Sequence, residues 1–285
     1  MVLLILTSHR SDCFSLAIDC LEQHTDLGEF ERILVIANAL TPEHRQLAQC
    51  FVHRNTNAEL IECAPRGIKT VMPAIDMALA RYIGRMVVKI DEDVFVMPGW
   101  LNGLRQAYLL NKSAGCGLVS ALVPNNGVGR AALHNYMCAI FPEYANSPEL
   151  HSGKVGPAYG VWVWRMILEG KLNPAAATQG GHIRMQRITI KQWLSINCVL
   201  MDPEFLSLAM PFSRDVDEYL INLVLRHPQS PFFGILAPGS LAHHYSFYTQ
   251  QKALDAAIPV SVVRNYLLES SITKRPIGEC RSRRL

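Results

Sequence analysis

The chain has 285 residues, 49% of them hydrophobic and 18% charged, with a formal net charge of +3. That length supports a full hydrophobic core, and that composition excludes a chain that is mostly disordered. No apolar run approaches the roughly 18–20 residues that cross a bilayer, so no transmembrane segment is expected.

The opening stretch Met1-Val2-Leu3-Leu4-Ile5-Leu6 lacks a basic leader segment and gives way to His9, Arg10 and Asp12. It reads as a first buried strand over Val2–Thr7 rather than a secretory signal. Helical spacing follows over Ser11–His24 through Phe14, Leu16, Ile18 and Leu21, with Ser11 or Asp12 as the expected N-cap. Arg32–Ala37 is a second buried strand, and Thr41-Pro42-Glu43-His44 opens a helix with a capping residue followed by proline. Glu59–Cys63 is a third strand, Lys69–Ile83 a helix and Met86–Ile90 a fourth strand. A helix over Leu101–Asn111 leads to a strand over Gly117–Val123. Residues 125–191, rich in Gly, Pro and Asn, are expected to be less regular. Strand character returns over Ile188–Met201, with a short helix at Pro203–Leu208. An amphipathic helix follows over Asp215–Leu225, and Phe232–Leu236 and Leu241–His244 read as two closing strands.

Apolar strands alternating with helices predict an α/β fold, a mostly parallel sheet covered on both faces. No GxGxxG or GxxxxGK[ST] loop follows the first strand, which removes the main support for a dinucleotide or P-loop fold. The eight cysteines show no CxxC pairing; they read as small core residues of a protein in reducing cytoplasm and not as a zinc site.

Charge is uneven along the chain. Residues 1–100 carry nine Lys/Arg against thirteen Asp/Glu, whereas residues 151–192 carry six against one and residues 273–285 five against one. The basic stretches suit phosphates, nucleic acid or anionic lipid, the last through Lys274, Arg275, Arg281, Arg283 and Arg284.

Three constellations carry chemistry. In the first, the fourth strand runs into Asp91-Glu92-Asp93 and then Pro98-Gly99-Trp100. Strand tips of α/β sheets face the ligand crevice, and carboxylates at i and i+2 can face one side, where a hard cation and phosphate oxygens can sit. The second is Ser213-Arg214-Asp215-Val216-Asp217-Glu218-Tyr219, acids at a helix start. The third is His243-His244-Tyr245, imidazoles after a strand.

In this order the parts resemble the nucleotide-sugar-dependent glycosyltransferases of the GT-A fold, particularly family 2. The matching residues are Thr7-Ser8-His9-Arg10 after the first strand, Asp91-Glu92-Asp93 with Pro98-Gly99-Trp100-Leu101, and Ile196-Asn197 through Asp202-Pro203-Glu204-Phe205. They continue with Arg214-Asp215-Val216-Asp217-Glu218 and a later Arg226, and close with Pro238-Gly239 before His243-His244-Tyr245-Ser246. The resemblance covers about residues 1–120 and 190–250. It departs at Arg214, where such families carry Glu, and at Asn38, where they often carry Asp.

The resemblance implies a single GT-A-like domain, a three-layer α/β/α sandwich over residues 1–285. Its parts are a nucleotide-sugar-binding half (1–120), an acceptor-facing insertion (121–190), a catalytic half (191–250), and a C-terminal helix with a basic tail (251–285). It implies Mg²⁺ or Mn²⁺ held by Asp91 and Asp93 with His243 or His244, and a nucleotide-sugar donor, UDP-linked by default. Thr7, His9, Arg10, Asn38, Arg66, Lys69, Asp91 and Glu92 would meet the donor, Glu92 being expected to point away from its two neighbours. Asp215, or else Asp217, would take the proton of the acceptor hydroxyl, with inversion at the anomeric carbon. The acceptor would be a glycan, a lipid-linked glycan or hydroxylated DNA bases, and Trp162, Trp164 and Trp193 offer aromatic faces for it. A sugar-phosphate nucleotidyltransferase and a non-catalytic binder of the same fold are the alternatives; the former would carry a Gly-rich loop after the first strand, where Thr7–Asp12 has no glycine.

Overall fold

The computed structural model describes residues 1–63, 68–151, 155–189, 193–211 and 217–269. Its strands are β1 (Val2–Thr7), β2 (Arg32–Asn38), β3 (Ala58–Cys63), β4 (Val87–Asp91), β5 (Val94–Val96), β6 (Cys116–Leu122), β7 (Gln186–Arg187), β8 (Cys198–Met201) and β9 (Phe233–His244). The helices of the first half are α1 (Ser11–His24), α2 (Pro42–Arg54), α3 (Ile68–Ala80), α4 (Trp100–Asn111) and α5 (Gly127–Ile140). Then come α6 (Pro142–Ala145), α7 (Pro148–His151), α8 (Pro157–Leu168), α9 (Pro174–Gln179), α10 (Pro203–Ala209), α11 (Asp217–Arg226), α12 (Gln251–Ala257) and α13 (Val260–Glu269).

The sheet order is β3-β2-β1-β4-β8-β6-β9-β5, with β7 added against β9. β1, β2, β3 and β4 are mutually parallel, β8 runs against β4 and β6, and β9 runs parallel to β6. The fold is α/β with a mostly parallel sheet, as expected. Consecutive residues of β1, β2 and β6 are buried, so both faces of the sheet are covered.

The first hundred residues follow the expected elements closely, because apolar runs and turn residues there agree. The cap of α1 differs: Arg10 occupies the N-cap and no side chain caps the helix. Asp12 instead accepts from the Arg10 guanidinium at 3.0 and 2.9 Å and from Cys13 N at 2.9 Å. Thr41 caps α2 through His44 N, as its position before Pro42 predicts.

Three expectations are corrected downstream. Residues 125–191 are largely helical where described, carrying α5 to α9, because prolines at the starts of α6, α8 and α9 begin helices there instead of breaking them. The two expected closing strands are one strand, β9, whose register against β6 shifts between the pairs Ala121↔Ala237 and Leu122↔Leu241. That irregularity takes up Pro238-Gly239 without ending the strand. Beyond it, β9 pairs with β5, setting His244 opposite Val94 and His243 opposite Phe95. The expected strand over Ile188–Met201 shrinks to β8, since residues 193–197 are irregular.

Two glycines mark where backbones meet. A Cβ on Gly103 of α4 would lie 2.5 Å from the Gly239 carbonyl oxygen, so α4 can cross the β9 irregularity only with glycine there. A Cβ on Gly129, in the first turn of α5, would lie 1.8 Å from the Val123 carbonyl oxygen. The intervening loop matters to the site, because Asn125 donates to the His244 carbonyl at 2.5 Å. Gly129→Ala is therefore expected to lose about 3 kcal/mol of stability through overpacking against backbone that cannot move aside. A denaturant midpoint equal to that of the parent would contradict this packing.

Candidate active site

The carboxyl ends of β1 and β4 lie side by side, with Leu6 paired to Asp91. They open onto a cavity of about 230 Å³ lined by Leu6, Ser8, His9, Arg10, Asp91, Glu92, Asp93, Glu218, Ser246, Tyr248 and Gln251. This is the crevice at strand tips where ligands of open α/β sheets bind.

Three consecutive acids enter this cavity, and each meets different partners. Asp91 ends β4 and is bound at Oδ1 by Lys89 Nζ at 2.6 Å and at Oδ2 by Asn197 Nδ2 at 3.1 Å. Lys89 is buried, and also donates to the Ile196 carbonyl at 3.2 Å. Glu92 turns toward the loop after β1. Its Oε2 accepts from Thr7 Oγ1 at 2.8 Å and Ser8 N at 2.7 Å, and its Oε1 from Ser8 Oγ at 2.9 Å, His9 N at 3.2 Å and Arg10 N at 3.4 Å. Asp93 places Oδ2 3.3 Å from His244 Nε2.

Behind Glu92 lies a relay of buried groups. His44 Nε2 is 2.8 Å from Thr7 Oγ1, and because the threonine proton is given to Glu92, the imidazole is the donor. Burial holds His44 below the usual histidine pKa, although Glu92 pulls the other way, so the ring stays neutral in this role.

The two imidazoles of β9 part ways, because neighbouring residues of a strand face opposite sides. Burial lowers the His244 pKa but is outweighed by the charge and hydrogen bond of Asp93, with Asp91 and Glu218 adding to it, and the net shift is upward. His243 lies 5.4 Å from the Trp164 ring, and burial alone lowers its pKa to about 4. Of the pair, His244 belongs to the acid cluster and His243 packs against the ring of α8.

Arg10 sits in the cavity wall at 8% exposure. Its guanidinium is held by Asp12, by Asp255 of α12 at 3.0 Å, and by the face of Tyr245 at 5.0 Å. Its buried Nη1 has no hydrogen-bond partner among the described residues. Burial opposes its charge, yet the bonds to Asp12 and the charges of Asp12 and Asp255 hold its pKa well above the ordinary value. Tyr245 OH lies 2.9 Å from both Asp255 Oδ1 and the Ile258 carbonyl, so α12 is tied to this corner.

Glu218, the second residue of α11, closes the opposite side. Its Oε2 accepts from Trp193 Nε1 at 2.9 Å and its Oε1 from Ile196 N at 3.2 Å. The sequence pattern places acids at this helix start but does not select Glu218, which two distant donors orient. Asp215 lies outside the described residues, as does the side chain of Asp217. Arg66 and the side chain of Lys69 also fall outside them. Asn38 ends β2 with its Oδ1 buried and unpartnered, beside a separate cavity of about 210 Å³ lined by Ala37, Ala39, Leu40, Arg45, Glu62 and Cys63. Among the tryptophans, Trp164 is buried and Trp162 stacks with Tyr144, whereas Trp193 is 43% exposed next to Glu218. Lys89, Tyr248 and Gln251 were not singled out by the sequence as site residues, and Asn197, Glu218 and Ser246 stood within motifs without a role of their own. Their signal is tertiary, because the six come from four separated segments.

Among the described residues, no group of three or more His, Cys, Asp or Glu side chains is arranged as a complete metal cage. The residues nonetheless fit an ion that shares its shell with phosphate: Mg²⁺-type sites take one or two carboxylates plus substrate phosphates. Asp93 faces the cavity with His244 beside it, and His244 Nε2 would exchange its proton for the ion. Asp91 is already engaged by Lys89 and Asn197, which suits it less to direct ligation.

The Lys89–Asp91 ion pair is largely buried, with side-chain exposures of 3% and 22%. Lys89→Met leaves Asp91 uncompensated and is expected to cost about 3 kcal/mol of stability. Adding Asp91→Asn should recover most of that loss in a double-mutant cycle. Equal stability of the single and double variants in denaturant melts would show that the pair contributes little.

No protein-family model matches the chain. No curated protein matches it either. Among solved structures, the chain is similar to a mannosyltransferase from Pyrobaculum calidifontis in complex with GDP-Man and Mn²⁺, with a TM-score of 0.54 and 13% identity over 96% of this chain. This chain spans 65% of the length of that structure. Glucosyl-3-phosphoglycerate synthase from Mycobacterium tuberculosis, in complex with Mn²⁺, UDP and phosphoglyceric acid, matches over 94% of this chain and 78% of its own. Its identity is 14% and its TM-score 0.48, too low to add to the assignment. Strand order, the site at the strand tips and the likeness over 96% of the chain converge on one conclusion: the fold is that of the GT-A-type glycosyltransferases.

Proposed function

We propose that this protein transfers a sugar from a nucleoside-diphosphate sugar to an acceptor hydroxyl by direct displacement. The observation that carries this reading is the pairing of buried His244 with Asp93, which lines a cavity together with Asp91, Arg10 and Glu218 at the strand tips of a GT-A fold. In this reading Asp93 and His244 hold a divalent ion, Mn²⁺ as in the mannosyltransferase structure or Mg²⁺. When bound, the ion offsets the negative charge that builds on the departing diphosphate.

The chain's own residues do the rest. Arg10, whose buried Nη1 has no partner among the described residues, and His9, with its side chain 60% exposed, line the same cavity; both are assigned as donors for the nucleotide side. Glu218, fixed by Trp193 and Ile196, takes the proton of the acceptor hydroxyl as that oxygen attacks the anomeric carbon and the bond to the diphosphate oxygen breaks. Attack opposite the leaving group inverts the anomeric centre. Asp215, three residues upstream, is the alternative base, with Asp217 behind it. The donor is taken as UDP-linked from the resemblance, with GDP-linked sugars the direct competitor. Residues 121–190 are assigned to the acceptor side, and the chain acts as one domain.

For the acceptor, the charges favour a neutral glycan, free or lipid-linked, over DNA. Asp91, Asp93 and Glu218 line the cavity, and a polyanion entering it would meet like charge. Within the basic stretch of 151–192, part of the charge is engaged inside the chain: Lys171 pairs with Glu169 at 2.7 Å and Arg187 stacks on Phe233 at 3.4 Å. Among the described residues no helix is long and apolar enough to cross a membrane, and a cytoplasmic site of action is part of the proposal.

Thermal shift with UDP-, GDP-, CMP- and dTDP-sugars, with and without Mn²⁺, tests the donor class. One nucleotide should raise the melting temperature in a metal-dependent way, and Asp93→Ala should abolish both that shift and turnover. No response to any donor would overturn the enzymatic reading. Glu218→Gln should lower kcat by about 10²–10⁴ with donor binding retained. Asp215→Asn, measured alongside, reassigns the base if it alone shows that loss.

A further inference from the structure

The middle acid of the Asp91-Glu92-Asp93 turn has no part in the reaction as written above, yet it is the most heavily hydrogen-bonded of the three. The residue is 6% exposed, and its carboxylate receives three successive backbone N–H groups, from Ser8, His9 and Arg10, together with the hydroxyls of Thr7 and Ser8. Successive amides converging on one point form an anion-binding concavity of the kind that cradles phosphate in other nucleotide-binding folds. Here the concavity is filled from within the chain.

We propose that Glu92 is a positioning residue that occupies the anion nest of the loop after β1, locking that loop to the metal-binding turn and leaving the donor's phosphates to side chains and ion alone. The inference deepens the glycosyl-transfer reading and rests on it.

Register explains how the arrangement arises. Leu6 pairs with Asp91 across β1 and β4, so the next residues, Thr7 at the end of β1 and Glu92 just past β4, follow side by side. Glu92 can then reach every amide of the loop, while Asp91 and Asp93 keep their own partners. The neutral His44 behind Thr7 orients the threonine hydroxyl toward the carboxylate, completing the lock from the α2 side. The loop carries His9 and Arg10, the proposed donor contacts, so fixing it to Glu92 presets the distance between those contacts and Asp93. Preorganisation of this kind acts on ligand affinity, because the cost of ordering the loop is met on folding. It also bears on the alternative reading as a nucleotidyltransferase, whose loop would need its amides open to phosphate.

The test is calorimetric titration of the full-length protein with UDP and with GDP in the presence of Mn²⁺, and with Mn²⁺ alone. Glu92→Gln keeps the shape but replaces one oxygen by an N–H₂ group facing the loop's own donors. Its affinity for the nucleoside diphosphate should fall about tenfold or more, the equivalent of one lost charge-assisted hydrogen bond, with Mn²⁺ affinity unchanged. A parallel loss of Mn²⁺ affinity would make Glu92 a metal ligand and overturn the inference. Unchanged diphosphate affinity would overturn it too, while the loss of binding in Asp93→Ala would leave the parent reading standing. Should Glu92→Gln fail to fold, Ser8→Ala removes one donor from the part-exposed side and is expected to weaken diphosphate binding about threefold at unchanged Mn²⁺ affinity. Unchanged diphosphate affinity in Ser8→Ala would then overturn the inference. A parent protein that binds neither diphosphate overturns the reading and the inference together.

Discussion

Three carboxylates on consecutive residues repel one another, and unit charges 4 Å apart at an effective dielectric of 20 do so by about 4 kcal/mol. The turn after β4 tolerates them because each is compensated from a different direction. Lys89 rises from the same strand to Asp91, the loop after β1 closes on Glu92, and His244 arrives from β9 to Asp93. Removing one compensating group leaves a charge that the remaining groups cannot screen. The turn therefore acts as the knot that ties β1, β4, β8 and β9 into one site.

Delivering His244 to that knot places demands on the rest of the fold. β9 must pair with β6 in its first half and with β5 in its second, and the irregularity at Pro238-Gly239 lets one strand serve both. Gly103 lets α4 pass directly over that irregularity. Asn125, held at the end of β6, fixes the carbonyls of His244 and Tyr245, and Trp164 of α8 donates to the Tyr245 carbonyl at 3.0 Å. The helices of the middle segment thus serve partly as a brace behind the site, which accounts for the burial of Trp164.

The cavity lining carries both signs of charge: the acids Asp91, Asp93 and Glu218, and Arg10, whose charge is stabilised by Asp12 and Asp255 although it is buried. A cation bound among the acids and a diphosphate reaching Arg10 would satisfy both at once. Tyr248, 88% exposed at the rim, and Trp193 beside Glu218 leave flat aromatic surface where an acceptor ring can lie.

Local pattern determined much of this protein. Continuous apolar runs specified β1, β2 and β4, and Thr41-Pro42 specified the start of α2, because burial and capping there depend on neighbouring residues. The acid turn after β4 was likewise legible as a candidate site, since a strand that ends in carboxylates carries them to the carboxyl end of the sheet. Tertiary structure decided what each acid does. Nothing local distinguishes Glu92 from Asp93, or His243 from His244; the distinction comes from the register of β1 with β4 and of β5 with β9. Glu218 acquires its place from Trp193 and Ile196, more than twenty residues away in sequence. Position along the chain could name the charges, but only the crossing of strands could assign their partners, because electrostatic pairing acts over distances in space.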